Sequence, residues 1–380
     1  MQHRISDLFH LQMGKTPSRN QLEYWENGSN KWISISDLSN CSMYTAETKE
    51  VITDCAVRET NIRLVPKNTV IMSFKLSIGK TAITSEPVYT NEAIMAFIDK
   101  GEGLVLPEFL YYQLLSKDWG LAGNRAVMGA TLNKASLSQM RVYVPSLQEQ
   151  QGIVQVLSHI DSQLKRTNEL VNKLDDLVKS RFIEMFGNLD SKQYRPLRET
   201  CKIITDGTHQ PPKFIDSGIP FLFVSNVTSN KITYGTQKYI DQETYEMLNK
   251  RTPIEIGDVL VSAVGSFGHP AIVKEDRPFA FQRHIAYLKP RQEIIDSSFL
   301  HSYLLTDEAQ RYMDLQAKGV AQRTVTLKSF KEMMVPAPSL DLQKQFANFV
   351  SQVDKLRFAA QQQIDKLEML KKSLLQEYFN

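Results

Sequence analysis

The chain has 380 residues, of which 42% are hydrophobic and 23% are charged, and its formal net charge is +3. This composition is that of a globular protein with two or three domains, and it excludes a collagen-like, low-complexity or disulfide-rich chain. The cysteines Cys41, Cys55 and Cys201 are too scattered for a disulfide framework or a zinc site, so we expect free thiols. The sequence shows no signal peptide and no apolar run that could span a bilayer, and we therefore expect a cytoplasmic protein. The small net charge does not by itself establish a nucleic-acid partner.

Residues 1–147 are predicted to form a loop-rich α+β domain. Runs of β-branched and aromatic residues predict strands at 32–35 and 70–72, and apolar spacing predicts a helix at 107–117. The loop GKTPSRNQLEYW, which begins at Gly14, combines cations, hydroxyls, amides and two aromatic residues. Arginine and lysine suit phosphates or guanine, whereas asparagine and glutamine suit the edge of adenine, so this loop is a candidate DNA contact. The candidate DNA-binding residues of this domain are Lys15, Thr16, Ser18, Arg19, Lys75, Lys80, Arg125 and Lys134.

Residues 148–187 are predicted to form one long helix. Its seam residues alternate in steps of four and three, which is the heptad pattern of a coiled coil. These residues are Ile153, Leu157, Ile160, Leu164, Thr167, Val171, Leu174 and Val178. At 1.5 Å per residue the helix is roughly 55–60 Å long, and a helix of that length cannot bury its apolar stripe alone.

Residues 188–338 are predicted to form a second α+β domain. Strands are expected at 221–224 and 259–261, and a helix at 297–311. The loop DGTHQPPKFIDSGIPF, which begins at Asp206, also has a composition suited to nucleic acid. The candidate DNA-binding residues of this domain are Thr208, His209, Gln210, Lys213, Arg283, His284, Lys318, Gln322 and Arg323. Each candidate taken singly reads better as a solvated charge or a turn former, and only recurrence in both halves favours a function.

Residues 339–380 are predicted to form a second long helix that repeats the first. PSLQEQQGIVQVLSHID, from Pro145, returns as PSLDLQKQFANFVSQVD, from Pro338, and the offset 338 − 145 = 193 holds without a gap through the helix. Polar residues such as Gln150 and Gln343 repeat as well as apolar ones, which indicates duplication rather than chance periodicity. The domains repeat more loosely: VIMSFKLSIGKTAI, from Val70, parallels VLVSAVGSFGHPAI, from Val259.

The two helices could pack against each other, against a partner protein, or against separate domain cores. We favour antiparallel pairing within the chain, because a duplicated chain can close on itself with pseudo-twofold symmetry. This arrangement would place the two domains at opposite ends of a spacer that spans at most about 17 base pairs at 3.4 Å each.

No motif in the sequence indicates a catalytic centre. The chain lacks a phosphate-binding loop of the GxxxxGK[ST] type, the cofactor loop and adenine box of a methyltransferase, and a metal-nuclease spacing of carboxylates. His209, His269, His284 and His301 could cluster, but no cysteine or carboxylate spacing accompanies them. An enzyme with a degenerate motif and a structural coiled-coil adaptor without DNA specificity remain as alternatives.

The two loops and the long helices resemble a known family. GKTPSRNQLEYWENGSNKWISISDL and DGTHQPPKFIDSGIPFLFVSNV look like two varieties of the opening of a target-recognition domain in specificity subunits of type I restriction–modification enzymes. VPSLQEQ and APSLDLQKQ lead into segments similar to the spacer helices of that family. The resemblance covers essentially the whole chain.

The resemblance implies a non-catalytic subunit in which each recognition domain reads one half of a split DNA site. It also implies double-stranded DNA, two modification (methyltransferase) subunits and restriction (motor-nuclease) subunits as partners in host defence. S-adenosylmethionine, ATP and Mg would be used by those partner subunits, and this chain would hold no cofactor. Because VGSFGHP lacks counterparts of Lys75 and Lys80, we expect the two halves to read different sequences, which gives an asymmetric target.

Overall fold

The computed structural model describes residues 1–45, 47–75, 77–119, 132–320 and 322–379. The chain divides into two compact units. Unit 1 comprises Met1–Thr167 and Gln363–Asn380, and unit 2 comprises Asn168–Gln362. Each unit therefore contains one loop-rich domain together with a part of both long helices.

The first half of the chain alternates short strands with short helices and ends in a long helix. Its strands are β1 (Gln2–Arg4), β2 (Phe9–Met13), β3 (Asn30–Ile33), β4 (Glu50–Ile52), β5 (Val70–Ser73), β6 (Thr81–Ile83), β7 (Tyr89–Thr90), β8 (Ile94–Asp99) and β9 (Arg141–Tyr143). Its helices are α1 (Ile5–Leu8), α2 (Ile35–Asn40), α3 (Asp54–Thr60), α4 (Pro107–Leu115), α5 (Lys134–Gln139) and α6 (Leu147–Phe186). The strands form a four-stranded antiparallel sheet in the order β2-β8-β5-β6, a three-stranded sheet β4-β3-β7 with β3 parallel to β7, and the pair β1-β9.

The second half repeats this order of elements. Its strands are β10 (Tyr194–Pro196), β11 (Cys201–Asp206), β12 (Ile219–Leu222), β13 (Tyr239–Ile240), β14 (Val259–Ser262), β15 (Pro270–Ile272), β16 (Ala280–Phe281), β17 (Ile285–Pro290) and β18 (Met334–Pro336). Its helices are α7 (Leu197–Thr200), α8 (Gln242–Asn249), α9 (Ser297–Leu304), α10 (Asp307–Gln316), α11 (Leu327–Glu332) and α12 (Leu340–Phe379). The sheets are β11-β17-β14-β15, β13-β12-β16 with β12 parallel to β16, and β10-β18, so they match unit 1 strand for strand. The α+β fold class and the internal repeat are thus confirmed.

The predicted strands and helices exist, but several of their ends lie elsewhere. The strand predicted at 32–35 ends at Ile33, because Ser34 Oγ accepts a hydrogen bond from Asp37 N at 3.1 Å and starts α2. The strand predicted at 221–224 likewise ends at Leu222. The single helix predicted at 297–311 is wrong: the chain leaves the helical path after Leu304, and the Thr306 side chain caps a new helix, α10. Capping side chains stop or restart a helix locally, and apolar spacing does not record them.

The predicted antiparallel coiled coil is present within each unit. In unit 1 the first half of α6 packs against the last part of α12, where Lys371 Nζ lies 2.5 Å from Asp161 Oδ1. In unit 2 the second half of α6 packs against the first part of α12, and the Phe182 and Phe346 rings are 5.4 Å apart. Every seam residue predicted for α6 is buried or half-buried. The pattern of buried residues therefore follows the heptads.

A polar residue interrupts the seam in unit 2. Arg357 takes the place that Leu164 has in α6, and its guanidinium contacts Asp175 on α6 and Asp354 on α12. Its side chain is only 18% exposed, and within the described chain its Nε finds no hydrogen-bond partner. A charged group at a seam position costs stability and favours one register, because it must meet its partners across the helix pair.

Buried glutamines tie the start of each long helix to its own domain. In unit 1 Gln150 is fully buried, and its Oε1 accepts a hydrogen bond from Leu106 N at 2.9 Å. Its Nε2 donates to Leu104 O at 2.8 Å and to Pro145 O at 3.0 Å. Both N–H donors and the carbonyl oxygen of the amide thus have partners, which explains why a polar residue repeats at this buried place.

Gln343 makes the same set of hydrogen bonds in unit 2. Its Oε1 accepts from Asp296 N at 2.8 Å, and its Nε2 donates to Ile294 O at 3.0 Å and Pro338 O at 2.8 Å. The same hydrogen-bond geometry in both units shows that the repeated glutamine is part of the scaffold.

Candidate nucleic-acid interface

Three loops meet at one end of the four-stranded sheet in unit 1. Strand β2 ends where β8 begins, since Met13 pairs with Met95, and β5 ends beside the start of β8, since Ser73 pairs with Ile94. The loop after β2, the hairpin between β5 and β6, and the turn before β8 therefore leave the sheet at one edge. We call residues 14–19, 74–80 (without 76) and 91–93 the sheet-end surface of unit 1.

The loop after the first strand of each four-stranded sheet starts with a glycine that no other residue can replace. Gly14 lies so close to strand β7 that an added Cβ would be 2.2 Å from Thr90 O. Gly207 lies in the same way against β16, where an added Cβ would be 2.1 Å from Phe281 O. The next residue donates its backbone N–H to that same carbonyl, at 2.8 Å from Lys15 N and 3.1 Å from Thr208 N. A steric requirement thus sets the path of both loops.

Several of the candidate side chains in the first loop already have partners. Arg19 makes a two-pronged ion pair with Glu50 on β4, and its guanidinium lies 3.8 Å from the centre of the Trp25 ring. The hydrogen bond to Glu50 raises the pKa of Arg19. Lys15 Nζ donates to Thr60 O at 2.5 Å. In this conformation Lys15 and Arg19 stabilise the loop, so fewer of their N–H donors are free to contact DNA than the sequence suggests.

The hairpin between the third and fourth strands of the sheet is the same in both units. Gly79 and Gly268 have φ values of 87° and 85°, in the left-handed region that favours glycine. The buried Ser73 Oγ accepts from Lys80 N at 3.0 Å, and the buried Ser262 Oγ accepts from His269 N at 2.9 Å. His269 therefore occupies the place of Lys80. Lys75 and Lys80 are both exposed on this hairpin.

The sheet-end surface of unit 2 is built from four loops. It comprises residues 207–210, 263–269 and 282–284, and the segment 318–324 without 321. Arg283 N donates to Thr208 O at 3.0 Å, and Gly265 N donates to Arg323 O at 2.9 Å, so these loops are directly joined. Lys318 and Thr324 exchange backbone hydrogen bonds at 2.9 and 2.8 Å, which closes the last of these loops. The predicted residues that lie on this surface are Thr208, His209, Gln210, Arg283, His284, Lys318, Gln322 and Arg323.

The polar side chains of this surface differ in how firmly they are held. His209 Nε2 lies 3.0 Å from Asp206 Oδ2, and Arg251 contacts the other oxygen of the same carboxylate. Arg323 donates to Asp314 Oδ1 at 2.7 Å. Burial lowers the pKa of His284, with a smaller contribution from the neighbouring Arg283. Arg283 itself is exposed, and its side chain makes no hydrogen bond or ion pair with the described residues.

Lys134 and Lys213 lie away from these surfaces. Lys134 is the first residue of α5, and it lines a cavity with Ser6 and His10 near the opposite end of β2. Lys213 precedes Phe214, whose ring packs 5.3 Å from that of Phe221 on the three-stranded sheet. Arg125 lies outside the described residues.

Three residues of the site were missed by sequence reasoning. They are Glu92 in the turn before β8, Arg251 beside Asp206, and His269 at the place of Lys80. The offset of 189 that aligns the two hairpins would have found His269 (80 + 189 = 269), whereas Glu92 requires an offset of 191. No local pattern marks Arg251, because it reaches Asp206 from the end of α8.

Among the described residues there is neither a membrane-spanning helix nor a metal-binding cluster. No helix there is long and apolar enough to cross a membrane. The same residues contain no group of three or more histidine, cysteine, aspartate or glutamate side chains that could hold a metal ion.

Comparisons with known proteins show the family of this chain. The sequence model of the type I restriction modification DNA specificity domain matches residues 1–175 and again 191–369. The chain belongs to this family.

Its relatives include two type I specificity subunits. The MjaIX specificity subunit of Methanocaldococcus jannaschii is 33% identical over 189 residues, which are 48% of this chain and 43% of that protein. The EcoBI specificity subunit of Escherichia coli is 28% identical over 46% of this chain and 37% of that protein. Each of these alignments thus spans less than half of the relative. The S subunit of a type I restriction–modification system from M. genitalium shares the fold, with a TM-score of 0.54 at 16% identity over 100% of this chain and 96% of that one.

Proposed function

We propose that this chain is the DNA specificity subunit of a type I restriction–modification complex, and that each unit reads one half of a split, asymmetric site. The observation that carries the proposal is the sheet-end surface, which the fold builds twice on matching strands and fills with different side chains. At the matching position of the hairpin, unit 1 has Lys80 and unit 2 has His269. A repeated scaffold with unequal polar loops is suited to reading two different sequences.

The long helices would set the gap between the half-sites. Each helix has 40 residues, and an α-helix rises about 1.5 Å per residue, so each is roughly 60 Å long. The antiparallel seam and the buried glutamines would resist bending and sliding, which is the requirement for a spacer of defined length.

Partner subunits would supply the chemistry. The chain would have no catalytic activity and no cofactor of its own, while S-adenosylmethionine, ATP and Mg would be used by the modification and restriction subunits. Family membership supports this division of roles, and it also supports a place in the cytoplasm with the DNA.

The test is methylome sequencing of a methylation-free host that carries the modification subunits of the same system, with and without this chain. We expect chain-dependent N6-methyladenine at a split, asymmetric motif whose gap does not exceed about 17 base pairs, the length that a 60 Å spacer covers at 3.4 Å each. Absence of new methylation in the presence of active modification subunits would refute the proposal. A motif with a longer gap would refute the spacer role alone.

A further inference from the structure

The two sheet-end surfaces carry opposite charges at one equivalent position. The turn that leads into the central strand of the sheet is residues 91–93 in unit 1 and 282–284 in unit 2. Its middle residue is Glu92 in unit 1 and Arg283 in unit 2, and both are exposed.

The backbone establishes that these two positions correspond. The first turn residue donates to the end of the neighbouring parallel strand, from Asn91 N to Ile33 O at 3.0 Å and from Gln282 N to Leu222 O at 3.1 Å. The last turn residue accepts from the hairpin: Ala93 O is 2.9 Å from Phe74 N, and His284 O is 2.8 Å from Ala263 N. The two turns thus have equal length and the same anchors on both sides.

The Glu92 and Arg283 side chains differ in whether they have hydrogen-bond partners. Glu92 accepts a hydrogen bond from the Thr16 hydroxyl, which in turn accepts from Asn91 Nδ2 at 2.9 Å. These hydrogen bonds hold the Glu92 carboxylate against the loop that follows β2. The Arg283 side chain is exposed, and its guanidinium makes no hydrogen bond or ion pair with the described residues.

We infer that this middle turn residue determines which base each unit prefers, a conclusion that rests on the proposed function. An exposed carboxylate cannot neutralise phosphates and is repelled by them, so at a DNA-facing position its useful partner is the amino group of a base. The carboxylate of Glu92 would accept from the N4 amino group of cytosine, whereas the guanidinium of Arg283 would donate to O6 and N7 of guanine. The half-sites therefore differ at this position because unit 1 presents an acceptor and unit 2 presents donors.

Four single substitutions test the inference in the complete complex, with the methylome as the readout. Glu92→Gln keeps an acceptor for Thr16 but adds donors, and it should shift one position of the unit 1 half-site from cytosine towards adenine, which glutamine prefers. Arg283→Gln should shift one position of the unit 2 half-site from guanine towards adenine for the same reason. Arg283→Lys keeps the charge without the two-pronged geometry, so it should relax that guanine preference without weakening binding to other sequences. Glu92→Asp withdraws the carboxylate and should weaken the cytosine preference.

The expected loss of discrimination is roughly 5- to 150-fold at the single affected position, because a base contact contributes about 1–3 kcal/mol. The other half-site in the same chain is the internal control. Matched substitutions away from the surface are Glu102→Gln, at the opposite end of β8, and Arg195→Lys, on β10; both are exposed and should leave the motif unchanged. The thermal unfolding midpoint of each purified variant shows whether the chain is intact.

The outcomes separate the inference from the proposed function. A wild-type chain without a split motif refutes the proposed function. A split motif that is present with the wild-type chain and unchanged in folded Glu92→Gln and Arg283→Gln chains refutes the inference alone. Glu92 then serves only to hold Thr16 by a hydrogen bond.

Discussion

Replacing Gln150 by leucine should strongly destabilise unit 1. The two side chains are similar in size, so the change removes hydrogen bonds without creating a large cavity. Leu106 N and the carbonyls of Leu104 and Pro145 would lose their partner at a fully buried site. An unsatisfied buried group costs about 1–3 kcal/mol. Leu104 is 43% exposed, so we count only Leu106 N and the Pro145 carbonyl as left without a partner.

The expected loss of unfolding free energy is about 2–6 kcal/mol, which is about 1–3 kcal/mol for each of these two groups. For a unit of this size each kcal/mol shifts the unfolding midpoint by about 2–4 °C, so the midpoint should fall by roughly 4–24 °C. Urea unfolding and calorimetry measure the global effect, and hydrogen exchange at the Leu106 amide measures the local one. Gln151→Leu is the matched control, because Gln151 is the next residue in the helix and its side chain is exposed. Equal stability of the two variants, with unchanged protection of Leu106, would show that the amide does not anchor the helix.

Three further changes test other parts of the structure. Gly14→Ala should displace the first loop and reduce DNA binding by unit 1, because the added Cβ would clash with Thr90 O. Gly235 has open space around it, so Gly235→Ala should leave binding unchanged. Equal effects of the two substitutions in binding assays on half-site DNA would contradict the role of this clash. In a double-mutant cycle of Arg357→Leu and Asp175→Asn, urea unfolding should give a coupling of about 0.5–3 kcal/mol, and additive effects would rule out a direct ion pair. Burial lowers the pKa of His301 to about 4. Because the unfolded state then binds more protons, stability should fall as the pH drops from about 6.5 to 4, by about 3 kcal/mol, and His301→Gln should lose this dependence.

The sequence by itself determined the long helices and the duplication. Heptad spacing is a local property, so the residues that form the seam could be identified before any contact was known. The gapless repeat includes Gln150 and Gln343 among its identities, but only the structure shows that both are buried. Element types were also accessible, since strands β5 and β14 are short apolar runs that are buried along their whole length.

Only the tertiary structure decided which loops form a surface. The sheet order β2-β8-β5-β6 brings together segments from residues 14 to 93, and such pairing depends on packing between distant strands rather than on local composition. In the folded chain Lys134 lies far from Lys75 and Lys80, and Arg19 forms an ion pair with Glu50. Glu92 and Arg283 occupy equivalent positions in the two units. A residue's charge can be read from the sequence, but its partner and the face on which it lies are set by long-range backbone geometry.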